Sequence, residues 1–228
     1  MVFAFFSNGR KEGRRKARLC PRRGKREKVT AMGHKDVTVQ IMLGGKSTRM
    51  GRDKALVELG GRTLLDRAIE TWKGYGAGLQ LSVGSEVRRA LAPTGSCAVV
   101  DRYPERGPLG GLHAGLWACP TPLLLLAAVD SPFLTPALAD GLLNAIGGAN
   151  ACVYTLDGRP QPLFGLYRTT CLAAAETLLE EGNNKLRALL DRVETVYLPA
   201  ADPDPFRNLN TPEELERAGG TFGCDQKR

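Results

Sequence analysis

Val39-Gln40-Ile41-Met42-Leu43-Gly44-Gly45-Lys46-Ser47-Thr48-Arg49-Met50-Gly51-Arg52-Asp53-Lys54-Ala55 is the stretch whose reading decides the fold. An apolar run of β type ends in paired glycines, after which the sequence turns basic while keeping small residues. Without Cβ atoms, Gly44 and Gly45 let main-chain N–H groups converge on an anion, and Arg49 and Lys54 supply charge to neutralise a triphosphate from two sides. The segment is not a Walker A loop, because G-x-x-x-x-G-K-[ST] has no match. Nor is it a dinucleotide fingerprint, because Gly44-Gly45 lacks the G-x-G-x-x-G spacing.

Downstream, Ala55 to Leu59 and Gly60-Gly61 read as a short extended segment and a turn. Leu64, Leu65, Ala68, Ile69 and Trp72 then repeat at helical spacing behind Thr63, an N-cap with Asp66 at N3. Leu79 to Gly84 alternates as a second strand, and Ala98-Val99-Val100 forms a third that runs into Asp101. Leu123 to Val129 is apolar on both faces, as a central parallel strand must be, and ends in Asp130-Ser131-Pro132. Thr135-Pro136 opens the next helix, so Asp130 is not needed as its cap and is read as a metal ligand. Further strands are expected at 151–155, 163–167 and 193–198, and helices at 170–181 and 185–191. Thr211, Pro212 and Glu214 form a capping box for a terminal helix. Strands alternating with helices at these intervals predict an α/β fold with a mainly parallel sheet, whose ligands bind beyond the carboxyl ends of the strands.

Taken together, Gly-Gly-x-Ser-x-Arg-Met-Gly-x-Asp-Lys after a first strand, Gly107-Pro108-Leu109-Gly110-Gly111 after a strand-end aspartate, Gln161 to Tyr167, and Asn208-Leu209-Asn210-Thr211-Pro212-Glu213-Glu214 resemble the molybdenum cofactor guanylyltransferase family over about residues 37–218. The resemblance implies a Rossmann-like three-layer nucleotidyltransferase fold. It also implies transfer of GMP from GTP to the phosphate of the molybdopterin cofactor, with release of pyrophosphate. On that reading Met42, Leu43, Gly44, Gly45, Lys54, Asp101 and Asp130 contact the nucleotide. Arg49 and Lys54 are catalytic, and Asp130 with Asp101 holds Mg²⁺. GTP, the molybdopterin cofactor and molybdoenzyme maturation proteins are the expected partners, in the cytoplasm. The family usually has alanine where this chain has Leu43, whose bulk is expected to crowd the base or ribose. His113 is read as a helix-surface or interface residue. A transferase using CTP or another phosphorylated acceptor would share the loop and both aspartates, and a non-catalytic nucleotide-binding adaptor would share the fold.

Attack of a phosphate on an α-phosphorus needs alignment and charge neutralisation more than a nucleophilic side chain, and the motifs show no Ser/His/Asp or Cys/His set. The net charge of +8 invites a nucleic-acid reading, but residues 1–35 hold 12 of the 32 Lys/Arg and 2 of the 24 Asp/Glu, a net +10 that leaves −2 for residues 36–228. Residues 1–35 are therefore expected to be a basic, disordered extension, with Met32 a candidate functional start. Residues 36–220 are the expected catalytic domain, and 221–228 a frayed tail. No nucleic acid or membrane partner is expected, since the Leu123–Val129 run is far too short to span a bilayer. The six cysteines form no Cys-x-x-Cys pair. Those at 97, 119, 152 and 171 are read as buried thiols of a reducing compartment.

Overall fold

The computed structural model describes residues 32–44 and 53–221. Its strands are β1 (Val37–Met42), β2 (Glu58–Leu59), β3 (Arg62–Thr63), β4 (Gly78–Gly84), β5 (Cys97–Val100), β6 (Leu123–Ala128), β7 (Ala151–Leu156), β8 (Arg159–Arg168), β9 (Thr195–Pro199) and β10 (Gly220–Thr221). The helices are α1 (Leu64–Trp72), α2 (Gly107–Ala118), α3 (Pro136–Ala145), α4 (Leu172–Glu180), α5 (Leu186–Arg192) and α6 (Pro212–Arg217). Seven strands form one sheet in the order β5-β4-β1-β6-β8-β7-β9, in which only β8 runs against the others. A small antiparallel sheet, β10-β2-β3, lies apart from it. The expected mainly parallel α/β fold is present.

Strand alternation divides the core into the two faces of the sheet. Val37, Val39 and Ile41 of β1, with Leu123, Leu125 and Ala127 of β6, pack with Leu64, Leu65, Ala68 and Trp72 of α1 and with Ala139 and Leu142 of α3. On the other face Met42, Leu124 and Leu126 meet α2, α4 and α5. The result is three layers, with β1 and β6 covered on both sides. Thr63 caps α1 by accepting from Asp66 N–H, and Thr211 with Glu214 closes both halves of the capping box on α6. Thr135 stands at the N-cap of α3 without a side-chain cap bond.

α2 is apolar all round because it is covered all round: every residue from Leu109 to Leu116 is buried. A Cβ on Gly115 would lie 1.7 Å from Gln40 Oε1. Gln40 Nε2 donates to the Gly111 carbonyl at 2.9 Å, while Gln80 Nε2 donates to Gln40 Oε1 and to the Gly115 carbonyl. Gly115 is therefore a helix–sheet contact, not a nucleotide contact. His113 is fully buried, with its ring edge-on to Tyr103, so the expectation of a surface histidine is wrong. Burial lowers its pKa and keeps it neutral. Cys152 and Cys171 are buried, their thiols pushed up to about 11 by desolvation, but Cys97 is exposed and Cys119 only partly covered. The edge position of β5 explains the exposed thiol. No helix among the described residues is long and apolar enough to cross a membrane.

Candidate active site

In a doubly wound sheet the ligand crevice opens where successive strands are added on opposite sides. Here β4 and β5 extend the sheet to one side of β1, and the chain then returns through α2 to place β6 on the other. The switch point lies between β1 and β6. Leu43 and Gly44 leave the sheet at its carboxyl end on one side, Asp130 on the other. The strand ends stay in register past the last strand residues: Leu43 N–H donates to the Ser82 carbonyl at 3.1 Å and Val129 N–H to the Met42 carbonyl at 2.9 Å.

Lys54 reaches across this opening. Its ammonium donates to Asp130 Oδ2 at 2.8 Å and to Asn210 Oδ1 at 2.6 Å, with the Lys54 and Asp130 side chains 16% and 19% exposed. The three residues come from three distant stretches of sequence, and the connecting turns hold them there. Leu209 N–H donates to the Asp130 carbonyl, and Ser131 Oγ to Asn208 Oδ1. Glu214 Oε2 accepts from the N–H groups of Asn210 and Thr211, so the helix cap that starts α6 also orients Asn210. Beside this cluster a cavity of about 450 Å³ is lined by Phe133, Arg207, Asn208, Leu209, Asn210 and Arg217 among others.

Asp101 lies on the opposite side of β1. Its N–H donates to the Gly84 carbonyl, and its carboxylate abuts the start of α2: a Cβ on Gly110 would lie 3.5 Å from Oδ2, and one on Gly111 3.8 Å from Oδ1. The same Gly111 Cβ would meet Met42 Cε at 2.8 Å and Ser82 Oγ at 3.0 Å. Gly110 and Gly111 thus let Met42, Ser82 and Asp101 pack closely against the start of α2. Ser82 was absent from the sequence expectations, although its place near the end of β4 beside β1 was the available signal. Burial pushes the Asp101 carboxyl up to about 6, against the lowering effect of the nearby Arg88 guanidinium.

Two expected site residues, Gly45 and Arg49, lie outside the described residues. Leu43 does not crowd a nucleotide. It falls in phase with Val39 and Ile41, so its side chain is wholly buried in the α1/α3 face of the core and only its backbone borders the site. A resident metal is tested by the donors present. Asp101 Oδ1 and Asp130 Oδ1 are buried and have no hydrogen-bond partner among the described residues, which suits hard acceptor oxygens for a divalent cation. Among the described residues no group of three or more His, Cys, Asp or Glu could enclose one. An ion here would take its other ligands from phosphates and water.

Comparison with known proteins identifies the family. Residues 39–196 match the family model described as the MobA-like NTP transferase domain. The chain belongs to this family. It is 35% identical over 185 residues to the molybdenum cofactor guanylyltransferase of Vibrio atlanticus, covering 78% of this chain and 93% of the relative. To the protein of the same name from Rhizobium meliloti it is 36% identical over 194 residues, covering 78% and 88%. The crystal structure of molybdopterin-guanine dinucleotide biosynthesis protein A from Archaeoglobus fulgidus superposes with a TM-score of 0.71 at 25% identity, covering 80% of this chain and 96% of that one. A 2-C-methyl-D-erythritol 4-phosphate cytidylyltransferase from Thermus thermophilus shares the fold, at TM-score 0.60 and 18% identity, covering 79% and 96%. The MobA-like domain therefore spans both the Lys54–Asp130 contact and Asp101.

Proposed function

We propose that this protein transfers GMP from GTP to the terminal phosphate of the molybdopterin cofactor, forming the guanine dinucleotide and releasing pyrophosphate. The observation that carries the reading is the convergence of Lys54, Asp130 and Asn210 at the switch point. Lys54 and Asn210 belong to two different stretches resembling the guanylyltransferases, and with Asp130 at the end of the central strand they offer a cation and a carboxylate where an α-phosphate would react. In-line attack by the acceptor phosphate builds negative charge on the α-phosphate and the departing pyrophosphate. A preorganised ammonium and backbone N–H groups stabilise that charge most in the transition state.

Asp130 would be the principal Mg²⁺ ligand, since Oδ1 lacks a donor and Lys54 takes only Oδ2. The metal, when bound, would neutralise phosphate charge. Asp101 is better suited to the base and ribose end. Its Oδ1 borders the same Gly111 position as Met42 and Ser82, away from the Lys54 contact, and a secondary contact to the ion is its other role. The nucleoside would then lie over Met42, Ser82, Gly110 and Gly111, the triphosphate between Gly44 and Lys54, and the acceptor on the Asn210 side. The cavity there, lined also by Glu214, offers Arg217 and Arg207, whose guanidinium lies over the Phe133 ring, to an anionic substrate. Buried free thiols at Cys152 and Cys171 fit a reducing cytoplasm, from which the product would pass to molybdoenzyme maturation proteins.

Turnover with GTP, CTP and ATP, each with Mg²⁺ and molybdopterin cofactor, tests the reading through pyrophosphate release. GTP is expected to be used at least tenfold better than CTP, and Asp130→Asn to abolish metal-dependent turnover while leaving a cooperative melt. Preference for CTP would move the protein to the cytidylyl reading. Near-normal activity and Mg²⁺ dependence in Asp130→Asn would overturn the metal assignment.

A further inference from the structure

None of the sequence motifs pointed to Arg88, yet among the described residues it binds the Asp53 carboxylate and three backbone carbonyls at the site. It stands in the short 3-10 turn Glu86–Leu91 that follows β4. Its Nε and Nη2 donate to Asp53 Oδ2 at 3.0 and 2.7 Å, and Nη2 also to Asp53 Oδ1 at 2.9 Å. Nη2 reaches the Leu43 carbonyl and Nη1 the Val83 carbonyl, each at 3.2 Å, and Nη1 also contacts the Gly44 carbonyl. The two charged side chains are only 15% and 21% exposed. A forked pair sheltered in this way is stronger and better oriented than an exposed one.

These contacts exceed what holding the sheet together requires. β1 and β4 are already paired from Thr38↔Gly78 to Met42↔Ser82, and Leu43 N–H extends the ladder. Arg88 instead gathers the two arms of the glycine-rich signature, Leu43-Gly44 on entry and Asp53 on exit. The peptide group is planar and trans, so a Leu43 carbonyl turned toward Arg88 directs the Gly44 N–H to the opposite side. Gly44 makes the turn at φ +74°, a conformation that disfavours a side chain. On the other arm, Asp53 Oδ1 accepts from Ala55 N–H and starts the turn Lys54–Leu56, which sets the direction in which Lys54 leaves the chain toward Asp130.

We propose that Arg88 is a positioning residue for the nucleotide: one guanidinium fixes both arms of the signature, so that the Gly44 N–H and the Lys54 ammonium face the phosphates together. This rests on the reading of the site as a nucleotidyltransferase centre. Arg88 itself touches no reacting atom.

The experiment compares wild type with Arg88→Met, Arg88→Lys, Asp53→Asn and the Arg88→Met/Asp53→Asn pair. It measures melting temperature, Mg²⁺·GTP binding by calorimetry, and kcat and KM for nucleotide and acceptor separately. Arg88→Met is expected to lower kcat/KM for GTP by about 10- to 100-fold, the scale of an ångström-level misplacement, with the acceptor KM unchanged. Arg88→Lys should recover only part, because an ammonium cannot fork across a carboxylate. The double variant should be no worse than the poorer single one, since both remove the same link. The proposal is overturned if Arg88→Met keeps GTP kcat/KM within about twofold, if GTP and acceptor parameters fall together with the folded fraction, or if the two losses multiply. Should Arg88→Met fail to fold, Asp53→Asn decides alone, and wild-type GTP kcat/KM in that variant overturns the proposal. The underlying reading is judged on wild type only. Wild type that binds none of GTP, CTP and ATP removes both, whereas a different preferred base removes guanine specificity and leaves Arg88 to be measured with that nucleotide.

Discussion

Asp101→Asn is expected to make the protein more stable and less active at neutral pH. The carboxyl sits partly buried against Gly110 and Gly111 with Oδ1 lacking a donor, and desolvation raises its pKa from 3.8 to about 6. The folded state therefore keeps its proton at pH values where the unfolded chain has released it. With more protons bound in the native state, stability falls as pH rises from about 4 through 6, and the full penalty is present above 6. One pKa unit is ~1.4 kcal/mol, so the shift corresponds to about 3 kcal/mol as an upper bound. Solvent screening at a partly exposed carboxylate reduces this to about 1–2 kcal/mol. Replacing the charge with an amide of the same shape removes that penalty, and a chain of this size should melt about 2–8 °C higher at pH 7.5.

The assay is a thermal melt of both proteins at pH 4.5, 6.0 and 7.5, with and without Mg²⁺·GTP. The variant's advantage should shrink steadily toward pH 4.5. Ligand should remove most of that advantage: about 100 Kd of nucleotide stabilises wild type by ~2.7 kcal/mol, and a variant binding tenfold more weakly gains only about half as much. An Asp101→Asn protein that melts below wild type at pH 7.5, or whose offset is the same at every pH, would refute the desolvation argument. Equal stabilisation of both by GTP would refute the placement of Asp101 at the nucleotide.

Lys54→Ala should lower kcat by about 10²-fold or more with a smaller change in nucleotide affinity, because its charge counts most as charge develops on the α-phosphate; a raised KM at normal kcat in steady-state kinetics would contradict that role. Leu43→Ala should leave the KM for GTP unchanged and destabilise the fold by about 2–5 kcal/mol in urea titrations, because the side chain is wholly buried; tighter GTP binding would return Leu43 to the pocket. Deletion of residues 1–31 should leave melting temperature and turnover unchanged, since the rest of the chain contains every strand and site residue named above; loss of either would make the basic segment part of the working protein.

The legible parts of the sequence were those where local chemistry and tertiary structure ask for the same residue. The apolar run Leu123–Val129 could only be a strand covered on both faces, and its following aspartate had to emerge at the carboxyl end of the sheet, where Lys54 and Asn210 meet it. Leu43 was misread because the glycines after it were weighed as a motif, while the strand's alternation continued one residue further and turned the side chain into the core. Gly115 and His113 lie in a run that is buried all round, so the sequence carries no helical stripe from which to tell the nucleotide side from the sheet side. Arg88 was invisible for a different reason. Its partners are mostly backbone carbonyls, which any residue supplies, and the one side chain that reveals its role, Asp53, lies 35 positions away. A carboxylate just before Lys54 reads as ordinary loop polarity until the fold brings a guanidinium to it. It then becomes the joint through which the turn after β4 sets the direction of the lysine.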